Sequence, residues 1–152
     1  MRFEIGPMRE ADLREVVDIE DSTGLNRWGY DAYRRELLTN PNAVMYVARP
    51  RDLSEHAIVG FVAAALMYDE LHINNIASRP ECRRAGIGRA LLATALEEGR
   101  LRGATFCVLE VRASNLPAQA LYESNGFYTS RRRKDYYRAP VEDALEMVMR
   151  LT

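Results

Sequence analysis

The sequence predicts an α/β fold, a mixed sheet with helices on both faces. Three observations carry this. Helical and strand-like apolar patterns alternate in the order strand, two helices, three strands, helix, strand, helix, two strands. The run Ile58–Met67 is apolar almost throughout, as expected of a strand covered on both faces. The turn Arg83-Arg84-Ala85-Gly86-Ile87-Gly88-Arg89 opens the strongest amphipathic helix of the chain.

Phe3–Arg9 reads as a short strand that ends in polar residues. Ala11–Asp21 places Leu13, Val16, Val17 and Ile19 at helical spacing, and Ser22-Thr23-Gly24 breaks the pattern. A loop carrying Trp28 precedes a second helix, Asp31–Leu38, with Tyr30, Tyr33, Leu37 and Leu38 giving a partial apolar face. Asn40-Pro41-Asn42 is a turn, Ala43–Ala48 a strand, and 50–56 a polar hairpin loop before the central run. Glu70–Ser78 is the next strand, and its polar Asn74-Asn75 predicts a bulge or splay. Gly86–Arg102 is a helix with Ile87, Leu91 and Ala95 on one face and Gly103 in place to terminate it. Thr105–Val111 is β-prone. Asn115 is placed to cap a helix over Leu116–Ser124, with Pro117 in its first turn and Asn125-Gly126 ending it. Phe127–Arg132 and Leu145–Leu151 are the last two strands.

The 152 residues suit one domain, 1–152, with no repeat, low-complexity tract or linker. A net charge of -1 gives no global drive toward nucleic acid or an anionic membrane, so neither is an expected partner. The short basic run Arg131-Arg132-Arg133-Lys134 is too small to change that, although it can dock near RNA or hold phosphates. No apolar stretch reaches a bilayer-spanning length, and Met1–Ile5 does not begin a signal peptide, so a cytoplasmic protein is expected. Cys82 and Cys107 stand far apart without clustered histidines, which argues for reduced thiols and no metal; Cys107 reads as a buried strand cysteine.

Chemistry concentrates in two segments. Gly86 and Gly88 lack a Cβ, so the main chain can approach a ligand closely. The free N–H groups of the following helical turn favour an anion, and Arg83, Arg84 and Arg89 add charge-assisted donors. The turn has neither the Lys-Ser/Thr pair of a P-loop nor the three early glycines of a dinucleotide fold. The second segment is Leu109-Glu110-Val111-Arg112-Ala113-Ser114-Asn115. Glu110 between two apolar strand residues is either a partly buried general base with a raised pKa, or a half-exposed carboxylate paired with Arg112 or another arginine. Tyr122 in the next helix is either a proton donor to a leaving group or a core tyrosine satisfied by backbone. Asn115 is a helix cap first and a ligand contact second.

These motifs resemble the GCN5-related N-acetyltransferase (GNAT) superfamily. Arg83-x-x-Gly86-x-Gly88 is similar to its pyrophosphate-binding signature. The pattern Asn75-Ile76-Ala77, the glycine turn, Leu109 to Asn115, Ala120-Leu121-Tyr122-Glu123-Ser124, Gly126-Phe127, Arg133 and Tyr136-Tyr137 looks most like the bacterial ribosomal-protein alanine N-acetyltransferases. The resemblance implies a mostly antiparallel sheet splayed between its fourth and fifth strands. It implies acetyl-coenzyme A as donor without a metal, and a small-subunit ribosomal protein N-terminus as acceptor. Glu110 would be general base and Tyr122 general acid. The backbone of Ile76, Ala77 and Ser78 would hold the pantetheine arm. Arg83, Arg84, Ala85, Gly86, Ile87, Gly88 and Arg89 would hold the pyrophosphate, and Asn115 would touch the cofactor. The acceptor would lie between Leu25–Tyr33, with Trp28 and Tyr30, and the segment Tyr136, Tyr137 and Arg138. Trp28 is equally readable as a hydrophobic anchor of the first helices, and Glu142 and Asp143 as attractors of a basic peptide or as solvated residues. Asn26-Arg27-Trp28-Gly29 and Ser78-Arg79 depart from the Pro-Trp and Val-Asp pairs of the bacterial enzymes.

Overall fold

A computed structural model of the chain describes residues 1–24 and 27–152. Leu25 and Asn26, which begin the acceptor segment expected from sequence, lie outside the described residues. The elements follow in the expected order: β1 (Phe3–Pro7), α1 (Leu13–Thr23), α2 (Tyr30–Thr39), β2 (Ala43–Pro50), β3 (Gly60–Met67), β4 (Glu70–Ser78), α3 (Ile87–Leu101), β5 (Phe106–Arg112), α4 (Leu116–Ser124), β6 (Tyr128–Arg138) and β7 (Val141–Arg150). Among the described residues the strands form one seven-stranded sheet, ordered β1-β2-β3-β4-β5-β7-β6.

Only β4 and β5 run parallel among these neighbours, and their pairing is short. It joins Glu70–Ile73 to Phe106–Leu109 and stops, although β4 continues to Ser78 and β5 to Arg112. The cause is visible in the β3–β4 ladder. Ala63 pairs with Asn75 but Ala64 with Ile73, so Asn74 is an extra residue bulged out of β4. A bulge bends its strand and increases local twist. Beyond it, β4 still pairs with β3 but has left β5. The polar Asn74-Asn75 pair therefore marks the place where the sheet opens.

Two cores lie on opposite faces of the sheet. On one, Leu91, Leu92, Ala95 and Leu96 of α3 pack with Val62, Leu71, Ile73, Cys107 and Leu109. On the other, Leu13, Val16 and Ile19 of α1 and Tyr33 of α2 pack with Val47, Phe61 and Ala63. The first five residues of β3 are all buried, which explains its continuous apolar run. Buried ion pairs fix α1 over its face. Arg49 grips Asp12 with two bonds of 2.8 and 2.7 Å, and Arg79 joins Glu15 at 2.8 Å while donating to the Ile58 carbonyl.

Two boundaries differ from the sequence reading. Ile58 and Val59 are buried but precede β3, because Val59 bonds the backbone of Ala48 and Arg79 rather than continuing a ladder. The last hairpin is much longer than Phe127–Arg132 and Leu145–Leu151. β6 is an edge strand with almost no buried residue, so apolar patterning cannot reveal it. Cross-strand ion pairs hold it instead: Arg132 with Asp143, and Arg131 and Arg133 with Glu146. The three arginines of the basic run are thus spent within the hairpin, and so is Asp143. Glu142 likewise pairs with Arg112 and accepts from the Ser114 amide. Cys82 and Cys107 are both buried free thiols, and burial pushes Cys107 up to about 12.

Candidate active site

The diverging ends of β4 and β5 leave a cleft that α4 closes on one side. It has two lobes. One, of about 520 Å³, runs along Ile76, Ala77 and Ser78 to Arg83, Arg84, Gly86, Ile87, Gly88 and Arg89. The other, of about 180 Å³, is walled by Trp28, His72, Asn74, Glu110, Arg112, Tyr136 and Tyr137. Thr23, Ile76, Asn115, Ala118 and Tyr122 line both, so the lobes meet beside Tyr122.

The first lobe has the chemistry of an anion cradle. Gly86 sits just before α3 at φ 83°, a left-handed conformation that a Cβ would strain. No side chain caps the first turn of α3, so its N–H groups face the lobe without an internal partner. Arg84 also has positive φ, at 69°. Arg83 and Arg89 are exposed, and among the described residues no carboxylate pairs with Arg83, Arg84 or Arg89. Ala85 turns inward and packs on the core instead of lining the lobe. Past Ile73, β4 presents the backbone of Ile76–Ser78 on its edge away from β3. Cys82 and Thr23 line this lobe and were not singled out by the sequence.

The second lobe holds the titratable groups. Alternation along β5 buries Leu109 and Val111 under α3 and turns Glu110 to the opposite face. Its side chain is only 12% exposed, and it meets His72 Nε2 at 2.7 Å. Arg112 is not its partner, contrary to one reading of the sequence. That guanidinium bonds Glu142 at 3.3 Å and lies 4.3 Å over the Tyr137 ring. The hydrogen bond that His72 donates to the Glu110 carboxylate raises the pKa of His72, against the effect of burial. His72 escaped the sequence reading because its partner is 38 residues away. The available signal was a titratable residue between the apolar Leu71 and Ile73 of β4.

Tyr122 is 7% exposed and packs its ring 5.8 Å from Phe127. Among the described residues its hydroxyl has no hydrogen-bond partner, so the backbone does not satisfy it and it is available to a ligand. Burial raises its pKa well above the ordinary phenol value. Asn115 caps α4 by accepting from the Ala118 amide at 3.2 Å and also reaches the cleft.

Tyr136 and Tyr137 owe their position to a defect in β6. Between Arg133 and Tyr137 the strand advances four residues while β7 advances two, from Ala144 to Glu142. Asp135 takes a left-handed φ of 52° there, and its amide donates to Asp143. This irregularity turns both tyrosines onto the lobe, where their rings meet edge to face at 5.1 Å. Trp28 packs its ring 5.2 Å from Tyr33 in the core, as a hydrophobic anchor does, and also borders the lobe. Tyr30, at the start of α2, is exposed and lines neither lobe. Neither do Arg131, Arg132, Arg133 or Lys134.

The acetyltransferase (GNAT) family model matches residues 12–127. A Bacillus subtilis (strain 168) protein, provisionally named a ribosomal protein bS18-alanine N-acetyltransferase, is 36% identical over 140 residues, covering 92% of this chain and 90% of that one. The ribosomal protein bS18-alanine N-acetyltransferase of Escherichia coli (strain K12) is 43% identical over 89 residues, 59% of each chain. The crystal structure of the ribosomal-protein-S18-alanine N-acetyltransferase from Escherichia coli matches with a TM-score of 0.85 at 29% identity, covering 99% of this chain and 95% of that one. With the opened sheet, the glycine turn and the family match all in agreement, the chain belongs to the GNAT family and is an N-acetyltransferase.

Proposed function

We propose that this enzyme transfers the acetyl group of acetyl-coenzyme A to the N-terminal α-amine of a ribosomal protein, an alanine terminus of the bS18 type. The observation that carries the reading is the meeting of two unlike lobes at Tyr122, one cationic and rich in main-chain donors, the other aromatic with a carboxylate. The similarity to bS18-alanine N-acetyltransferases along nearly the whole chain supports the choice of acceptor. Such an acceptor places the reaction in the cytoplasm.

The cationic lobe fits the donor. Uncapped α3 amides, the left-handed Gly86 and three unpaired arginines suit a pyrophosphate. The unpaired edge of Ile76–Ser78 suits the amides of a pantetheine arm, with Asn115 beside it. Bound there, acetyl-coenzyme A supplies an activated acyl group as its thioester. No protein nucleophile is required: Cys107 is buried and its thiol held protonated.

An α-amine has an ordinary pKa of about 8, so much of it is protonated at neutral pH. Glu110 takes a proton from it, and the free amine attacks the thioester carbonyl. Main-chain N–H groups on the β4 edge meet the charge that develops on the carbonyl oxygen. Tyr122 donates its proton to the departing sulfur. Its raised pKa keeps that proton in place before transfer. Trp28, Tyr136 and Tyr137 enclose the acceptor terminus, and the small volume of the lobe selects a small first side chain.

Peptides that differ only in their first two residues, incubated with the enzyme and acetyl-coenzyme A, test this by mass spectrometry. Acetylation of the α-amine with strong preference for an alanine-start ribosomal sequence is the expected result. Equal rates on Ser-, Thr- and Met-start peptides would replace it with a general N-terminal acetyltransferase. Transfer only to small amines would remove the protein acceptor altogether.

A further inference from the structure

Starting from an ammonium, acetylation forms one C–N bond, breaks one C–S bond and releases one proton net. Two protons leave the nitrogen. Tyr122, in the mechanism above, returns one to sulfur and must be reprotonated, and the other has to reach solvent. Glu110 is poorly placed to release it directly, since its side chain is nearly covered. His72 is three times as exposed, at 36%, and touches Glu110 through Nε2. Its ring also borders a third cavity, of about 550 Å³, on the far side of Trp28 and Asn74 and outside the donor lobe. The imidazole thus bridges a shielded carboxylate and a separate opening.

We propose that His72 is the proton outlet of this site, carrying to solvent the proton that Glu110 removes from the acceptor amine. The inference rests on Glu110 acting as base. His72 acts through Glu110 and does not itself touch the acceptor. Glu110 passes its proton to Nε2 of the Nδ1–H tautomer, the imidazolium releases the Nδ1 proton to water, and tautomer exchange of the half-exposed ring with solvent restores the starting state. The surroundings suit transient positive charge on the ring. Glu70 on β4, Glu110 on β5 and Glu146 on β7 favour it, although Glu146 is already engaged by Arg131 and Arg133 of β6. Arg27, which pairs with Asp21, lines the third cavity with Arg35 and Glu36. Tyr136 of β6 stays neutral, its pKa raised by burial and by Glu110.

The outlet operates only while His72 can accept a proton, so kcat rises as pH climbs through the titration of the pair. Three variants test this: His72→Ala, His72→Gln and Glu110→Gln, assayed with acetyl-coenzyme A and the preferred peptide. Glutamine can hydrogen-bond to Glu110 but cannot relay a proton. Both His72 variants are expected to lose about tenfold in kcat near neutrality, to shift the acidic limb to lower pH, and to keep the acetyl-coenzyme A KM within about twofold. Added imidazole should restore part of the His72→Ala rate. Wild-type kcat in His72→Gln overturns the outlet and leaves only positioning. A loss that is uniform in pH and indifferent to imidazole overturns it equally.

A readout without turnover separates this inference from the reading beneath it. His72 is one of two histidines, so its imidazole titration can be followed by NMR. Its midpoint is expected to fall in Glu110→Gln, and an unmoved midpoint overturns the coupling. A slow Glu110→Gln beside wild-type His72 variants removes the outlet alone, whereas a wild-type Glu110→Gln removes the base itself.

Discussion

Glu110 and Tyr122 are each held by packing on one side and left open on the other. Glu110 stands between Leu109 and Val111, which anchor its strand in the core, so its carboxylate has little freedom beyond its contact with His72. Glu110→Gln preserves shape and removes basicity. The expected result is a fall in kcat of about a hundredfold or more with the acetyl-coenzyme A KM nearly unchanged, measured by thiol release. Equal damage to both parameters would mean that the residue shapes the donor lobe. For Tyr122, removing the hydroxyl leaves the ring packing against Phe127 intact. Tyr122→Phe should fold as the wild type does while kcat drops about tenfold or more, a loss that shrinks with thioesters of more acidic thiols. The sign of the pH effect follows from the raised phenol pKa. A donor whose pKa is raised stays protonated as pH rises, so Tyr122 contributes no loss of activity on the alkaline side up to about pH 10.

At the scale of elements, the site depends on how closely α3 approaches the sheet. Gly60 begins β3 beneath the first turn of α3. A Cβ there would stand 2.7 Å from Ile87 Cγ2 and 2.9 Å from the Ala77 carbonyl oxygen. Both neighbours belong to segments that shape the donor lobe, and a carbonyl in a paired strand cannot give way cheaply. Gly60→Ala should therefore cost about 1–3 kcal/mol in urea unfolding and raise the acetyl-coenzyme A KM in the protein that remains folded. Unchanged stability would show that α3 can shift freely. The β4 bulge works at the same scale. It ends the β4–β5 ladder and sends Asn75 into the second core, where its amide donates to the Tyr33 hydroxyl at 2.6 Å. The residue that helps open the sheet is thereby tied to α2. The β6 irregularity plays a comparable part for Tyr136 and Tyr137.

Across the whole molecule, charge is nearly balanced at -1, yet the donor lobe holds three arginines without carboxylate partners. Opposite charge is placed elsewhere, in the hairpin and around α1, where it is locally paired. Donor binding should accordingly be sensitive to salt while folding is not. Raising ionic strength from about 0.05 M to about 0.5 M is expected to raise the acetyl-coenzyme A KM severalfold with little change in thermal stability. An unchanged KM would exclude the arginines as phosphate partners. Much of this was legible beforehand. Helical spacing located α1, α2 and α3, the Asn115 cap and the Asn125-Gly126 stop located α4, and the polar Asn74-Asn75 pair announced the bulge. Gly86 marked the turn before α3, because few other residues tolerate its left-handed φ. These are local properties, written in a few consecutive side chains, and so the sequence by itself determines the order of elements, the open sheet and the glycine turn. Tertiary structure alone decided the rest. Whether Glu110 faces Arg112 or His72, which exposed strand pairs with β7, and whether Trp28 or Tyr30 reaches the aromatic lobe depend on residues distant in the chain. Cross-strand partners come from the pairing of strands, and burial of a charge depends on its partner. No local pattern encodes either one.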